Sequence, residues 1–158
     1  MALARTAVAA PGALVLTALL AGCAPTIGVE VAEDAADPVC AEVMLAVPKT
    51  LGEGLPKVRT NSQATAAWGE PGAAVTMRCG VTPPDVAADC QRVESADGTV
   101  VDWIVLTDGE GTWWFTTYGR DPAVEVVVPP AVSEARSSSF VSDLAPAVRQ
   151  VSAKKHCS

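Results

Sequence analysis

Cysteine is the residue type in this chain that most plainly does chemistry. There are five: Cys23, Cys40, Cys79, Cys90 and Cys157. Cys23 stands apart from the rest. It follows Leu20-Ala21-Gly22 at the end of an uncharged run from Ala7 to Ala21, and Arg5 is the single positive charge ahead of that run. This is the layout of an export signal. The run is too short for a membrane-spanning helix, which needs about 20 residues. Small residues before a cysteine let extended backbone enter a signal peptidase, and the thiol is then the nucleophile that takes a diacylglycerol in thioether linkage. The spacing matches a bacterial lipobox. It predicts a lipoprotein signal peptide over 1–22 and a mature chain starting at a lipidated Cys23. Two or more fatty chains, palmitate among them, hold a protein where one holds only marginally. The expected address is the extracytoplasmic face of the cell membrane, anchored by lipid rather than spanning.

The other four cysteines form an even set in an exported chain, which reads as two disulfides. Three pairings exist. Loop locality favours Cys79–Cys90, which closes a segment containing Pro83-Pro84, with Cys40–Cys157 tying the start of the domain to its end. A zinc site fits poorly, since there is no CxxC and His156 is the only histidine. No metal and no cofactor is expected.

Eleven basic residues stand against 18 acidic ones, a net charge of −7. Removal of residues 1–22 takes Arg5 and makes the balance one unit more negative. That balance argues against nucleic acid and against electrostatic attraction to anionic lipid. The length suits one domain. We expect a tether over 23–36 and a single α+β domain over 37–158.

The elements that position side chains follow from pattern. Asp37-Pro38 starts a helix that Pro48 ends, so the first helix covers about 38–47. Residues 57–60 read as a strand, 64–68 as a helical turn and 73–79 as a strand. Residues 80–88 are loop. Val100 to Thr107 and Thr112 to Tyr118 form a hairpin about Asp108-Gly109-Glu110-Gly111. Ala123 to Val128 adds a strand. Phe140, Val141, Leu144, Val148 and Val151 share a helical face, and Pro146 requires that helix to start near Ser142 or to kink. The expected fold is therefore an antiparallel sheet of about five strands with N- and C-terminal helices packed on one face. Trp113 and Phe115 are expected to share a face with Ile104 and Leu106, and Trp114 and Tyr118 to share the other with Trp103 and Val105. The helices cover one face and leave the other open to a partner.

Two stretches resemble a known family. Ala67-Trp68-Gly69-Glu70-Pro71 with Val75-Thr76-Met77-Arg78-Cys79-Gly80-Val81 and Pro83 is one, and Thr116 to Val126 is the other. Both are similar to the uncharacterised actinobacterial family DUF3515, over roughly Cys40 to Cys157. The resemblance implies an exported or membrane-attached protein of unknown activity, and brings no catalytic residues with it.

Candidate binding residues remain. Trp68 beside Gly69 can frame a pocket, or simply plug the core. Arg78 can clamp a carboxylate or phosphate bidentately, or pair with a structural acid. Tyr118-Gly119-Arg120-Asp121-Pro122 places a cation and an anion on a turn, where binding residues gather; the plainer role is a solvated Arg120 and an Asp121 bonded to its own turn. Trp103, Trp113 and Trp114 can stack on a sugar or acyl chain, or fill the core. Asp102 and Glu125 make a poor carboxylate pair. His156, next to Lys154 and Lys155, has no evident acid or serine partner and reads as exposed. Ser137-Ser138-Ser139 reads as linker.

No catalytic set is legible, so the leading reading is a non-enzymatic envelope lipoprotein. It would bind a partner protein or cell-wall component through the open sheet face or the 118–121 turn. The alternative is a small module that binds or senses an anionic ligand through Arg78 or Arg120. A hydrolase stands third.

Overall fold

A computed structural model describes residues 25–85 and 89–157. The expected lipobox and Cys23 lie outside the described residues. Among the described residues nine strands form one mixed sheet: β1 (Thr26–Ile27), β2 (Thr50–Leu51), β3 (Leu55–Thr60), β4 (Thr65–Glu70), β5 (Ala73–Val81), β6 (Cys90–Glu94), β7 (Val100–Thr107), β8 (Trp113–Thr117) and β9 (Ala123–Val128). Their order is β1-β3-β4-β5-β9-β8-β7-β6, with β2 also pairing β3. Of these pairings only β1–β3 is parallel. The helices among the described residues are short: α1 (Pro38–Ala46), α2 (Pro130–Ser133), a 3₁₀ helix over Ser138–Leu144, and α3 (Ala145–Val148). This corrects the expected five-stranded sheet with two flanking helices.

Three misreadings account for the difference. Thr65 to Glu70 is rich in alanine, a weak strand former, yet it forms a six-pair ladder with β5 and is buried from Thr65 to Gly69. Tertiary pairing overrides its local preference. β6 is polar apart from Cys90 and Val93, and it holds its place as an edge strand paired to β7. The last apolar face is divided, because Pro146 sits in the first turn of α3 and the turns before it are 3₁₀. The first helix does follow the sequence: Asp37 Oδ1 accepts from the Val39 amide at 2.9 Å, Pro38 opens the first turn, and Val47 is extended before Pro48.

The hairpin faces also need correction. Val105 lies opposite Phe115 and Leu106 opposite Trp114. Cross-strand partners share a face, so Trp103, Val105, Phe115 and Trp113 look inward, while Ile104, Leu106, Trp114 and Thr116 look outward. A one-residue error in register moves every side chain of a strand to the other face. The inner face carries the core. Trp68, Met77, Trp103, Phe115 and Val126 pack there beneath Val43 of α1, with Leu144 and Val148 from the C-terminal helices. Trp103 meets Phe115 edge-on, with ring centroids 6.3 Å apart.

The outer face is not bare. The stretch expected as a tether lies against one half of it: the Asp34 amide donates to Gly80 O at 2.9 Å, and Val29, Ala32 and Ala35 are buried. Gly80 has φ +102°, and a Cβ there would run into the Asp34–Ala35 backbone. The C-terminal tail covers part of the other half. After α3 it passes the β8–β9 turn, where the Lys154 amide donates to Gly119 O at 2.6 Å, and ends on β6. Two disulfides fix this wrapping, Cys40–Cys79 and Cys90–Cys157. They replace the expected Cys79–Cys90 and Cys40–Cys157 pairs. Cys79 points into the core beneath α1, where Cys40 also sits, whereas Cys90 points outward to the tail.

Candidate functional site

The β8–β9 turn is built from residues that cannot easily be exchanged. Thr117 is fully buried, and its hydroxyl accepts from the Val124 amide at 2.9 Å across the turn. Gly119 has φ +70°, and a Cβ there would overlap the Lys155 carbonyl. The tail therefore lies directly on the turn. Arg120 follows, only 7% exposed. Its Nη1 donates to the carbonyls of Val148, the last residue of α3, and of Val151, three residues beyond it.

Arg120 also lines a cavity of about 150 Å³, together with Pro83, Pro84, Gly119, Lys154 and Lys155. Its Nε is buried and has no hydrogen-bond partner among the described residues. A buried N–H of a charged group left unpaired is costly. Burial pulls the Arg120 guanidinium below its usual value, and the Asp102 carboxylate works in the opposite sense. Lys154 Nζ stands 3.5 Å from Asp121 Oδ2, also on the cavity wall, whereas Lys155 forms no ion pair among the described residues. The cavity gathers three cations against Asp121 and Asp85.

A polar cluster adjoins it. Asp102 is 4% exposed on the outer face of β7. Its carboxylate takes Arg92 Nε at 3.1 Å and His156 Nδ1 at 2.9 Å. Burial would raise the Asp102 pKa, but hydrogen bonds from His156, Arg92 and the Cys157 backbone outweigh it and hold the carboxyl below its ordinary value. The depressed value makes Asp102 stabilising above the unfolded carboxylate pKa of about 3.9, and that contribution is lost as pH falls through the lower folded value. Asp102→Asn should therefore cost about 1–2 kcal/mol at pH 7. The gap to the parent protein should narrow at pH 3, as measured by urea unfolding midpoints at both pH values.

A third feature lies between β5, β9 and β8. Arg78 Nε donates to Glu125 Oε1 at 2.7 Å, and Arg78 Nη1 is 4.0 Å from Glu30. With Thr76 and Trp114 these residues line a groove of about 230 Å³ walled by Gly28 and Val29.

The sequence candidates thus part company. Trp68 and Trp103 are wholly buried, and Trp68 Nε1 donates to Pro48 O at 2.9 Å. Tyr118 is 8% exposed, so it offers little surface. Arg120 and Asp121 come together on one cavity. Arg78 and Trp114 share a different groove, in which Arg78 is paired. Asp102 and Glu125 belong to separate clusters. His156 does have an acid partner, contrary to expectation, although its side chain remains 65% exposed. Its ring makes no hydrogen bond to a serine, threonine or cysteine among the described residues. Lys154, Lys155 and Arg92 were not among the binding candidates read from the sequence. The usable signal was the run Lys154-Lys155-His156 directly before Cys157, since a disulfide there docks the run onto the sheet.

Among the described residues no group of three or more His, Cys, Asp or Glu side chains is placed to hold a metal. No helix among them is long and apolar enough to cross a membrane. No curated protein and no solved structure matches the chain. The sequence does match one family of unknown function over residues 2–157, and on that evidence the chain is a member of the DUF3515 family.

Proposed function

We propose that this chain is a lipid-anchored envelope binding module whose Arg120 cavity takes a small anionic group. A phosphate or carboxylate is the matching chemistry, free or carried on a cell-wall component. The observation that carries this is Arg120, buried with its Nε unpartnered among the described residues and lining a cavity shared with Lys154 and Lys155. An oxygen anion is the acceptor that guanidinium geometry suits. The net charge of −7 makes a local gathering of three cations a specific feature rather than a general property of the surface. The volume, well below the roughly 300–1,000 Å³ of sites for drug-sized ligands, restricts the occupant to a compact group. Docking of a partner on a bare sheet face has less to support it, because Trp103 is buried and the chain's own terminal segments lie over the outer face.

The test is calorimetric titration of the protein with inorganic phosphate and with acetate in a non-coordinating buffer. We expect saturable binding, weakened about tenfold by Lys155→Gln, which is an exposed substitution that leaves the core intact. Arg120→Gln should abolish it. No heat and no thermal shift with either anion at millimolar concentration, or equal binding by Lys155→Gln, would count against the site.

A further inference from the structure

We infer that the β1–β3 edge of the sheet faces a lipid bilayer, with Lys49, Lys57 and Arg59 set against the phosphates of the lipid headgroups. The inference rests on the anchor at Cys23 proposed above.

Position comes first. β1 begins at Thr26, opposite Arg59 of β3, with Ile27 opposite Thr60. The Asn61 amide donates to Ile27 O at 3.2 Å, and the Val29 amide to Asn61 Oδ1 at 2.7 Å. Only Ala24 and Pro25 therefore separate Cys23 from backbone fixed in the sheet, and the three Cα–Cα steps to Thr26 reach at most about 11 Å. An anchor on Cys23 brings this edge to the membrane surface.

Charge comes second. Lys57 and Arg59 are two apart on β3 and project to the same side. Lys49 is their neighbour, since the Lys57 amide donates to Lys49 O at 2.8 Å. The three line one cleft with Pro25, and no carboxylate lines it. All three are exposed, and none is ion-paired among the described residues. Arg78, Arg92 and Lys154, by contrast, each have a carboxylate partner. In an acidic chain, three free cations stand beside the point where the anchor enters the fold. The overall charge balance conceals this local reversal.

Magnitude comes third. Each basic residue held near an anionic lipid surface strengthens the attraction about fivefold, so three acting together favour this orientation about a hundredfold.

The experiment uses the mature protein carrying its lipid at Cys23. It is placed on vesicles of phosphatidylcholine alone, or of phosphatidylcholine with phosphatidylglycerol. Lysines are acetylated, and their rates are read by mass spectrometry. The protein should float with both vesicles. On the anionic ones Lys49 and Lys57 should react about tenfold more slowly than on the neutral ones, with Lys154 and Lys155 unchanged. At about 1 M salt the protection should vanish while flotation persists, because screening then acts within about 3 Å. The double variant Lys57→Gln/Arg59→Gln should remove the protection of Lys49. Floating protein whose lysines react alike on both vesicles, or in which Lys154 and Lys155 are protected instead, overturns the orientation and leaves the anchor standing. Protein that floats with neither overturns the anchor, and this inference with it.

Discussion

Replacing Cys40 and Cys79 together by alanine should lower the unfolding free energy by about 5 kcal/mol. The chain-entropy account gives about 4 kcal/mol for a cross-link spanning 39 residues. The remainder is packing. Both half-cystines are fully buried in the core, and alanine leaves a void where two sulfur atoms were. The Cys90–Cys157 bond spans 67 residues, so loop entropy alone ranks it slightly higher. Its sulfurs lie in half-buried residues outside the core, so its removal leaves little void and should cost less than the Cys40/Cys79 pair. Urea unfolding of the oxidised proteins decides the order. A larger loss on removing Cys90 and Cys157 would show that packing around Cys40 contributes little.

Trp68→Ala should cost about 3–5 kcal/mol and lower the melting temperature by on the order of 15 °C. Trp68 is wholly buried on the inner face of β4, opposite Val75. Its indole N–H donates to Pro48 O, which ties the end of α1 to the sheet. Truncation therefore opens a cavity and frees that loop at once. Trp68→Phe keeps most of the volume and loses only the hydrogen bond, so it should cost about 1–2 kcal/mol. Calorimetry of the two variants separates the parts. Near-equal losses would mean that the hydrogen bond, not the filled volume, is what Trp68 supplies.

What the sequence made legible was local. Asp37-Pro38 and Pro48 bracket α1 because capping and proline chemistry act over a few residues. Ala123 to Val128 is a strand as read, since its run of valines suits a pleated, largely buried surface. What failed was long-range. No short-range rule pairs Arg78 with Glu125, or sets Val105 rather than Leu106 opposite Phe115. The hairpin register depends on how Asp108 closes its turn, accepting from the amides of Glu110 and Thr112. The same limit governs the site. Arg120 was visible as a turn residue. Its burial was not, because that comes from a tail more than 30 positions away that returns over Gly119. His156 gained its acid partner through the same return.

The two disulfides join the first of the four cysteines to the second and the third to the fourth, without interlocking. For a chain that emerges amino end first, an oxidase coupling each new thiol to the one before it generates the native connectivity directly. No wrong bond has to be reshuffled, and the demand on an isomerase is correspondingly small. In the nested arrangement that four cysteines also allow, Cys40 would have to wait unpaired for the late-emerging Cys157, and in the interleaved one Cys79 would.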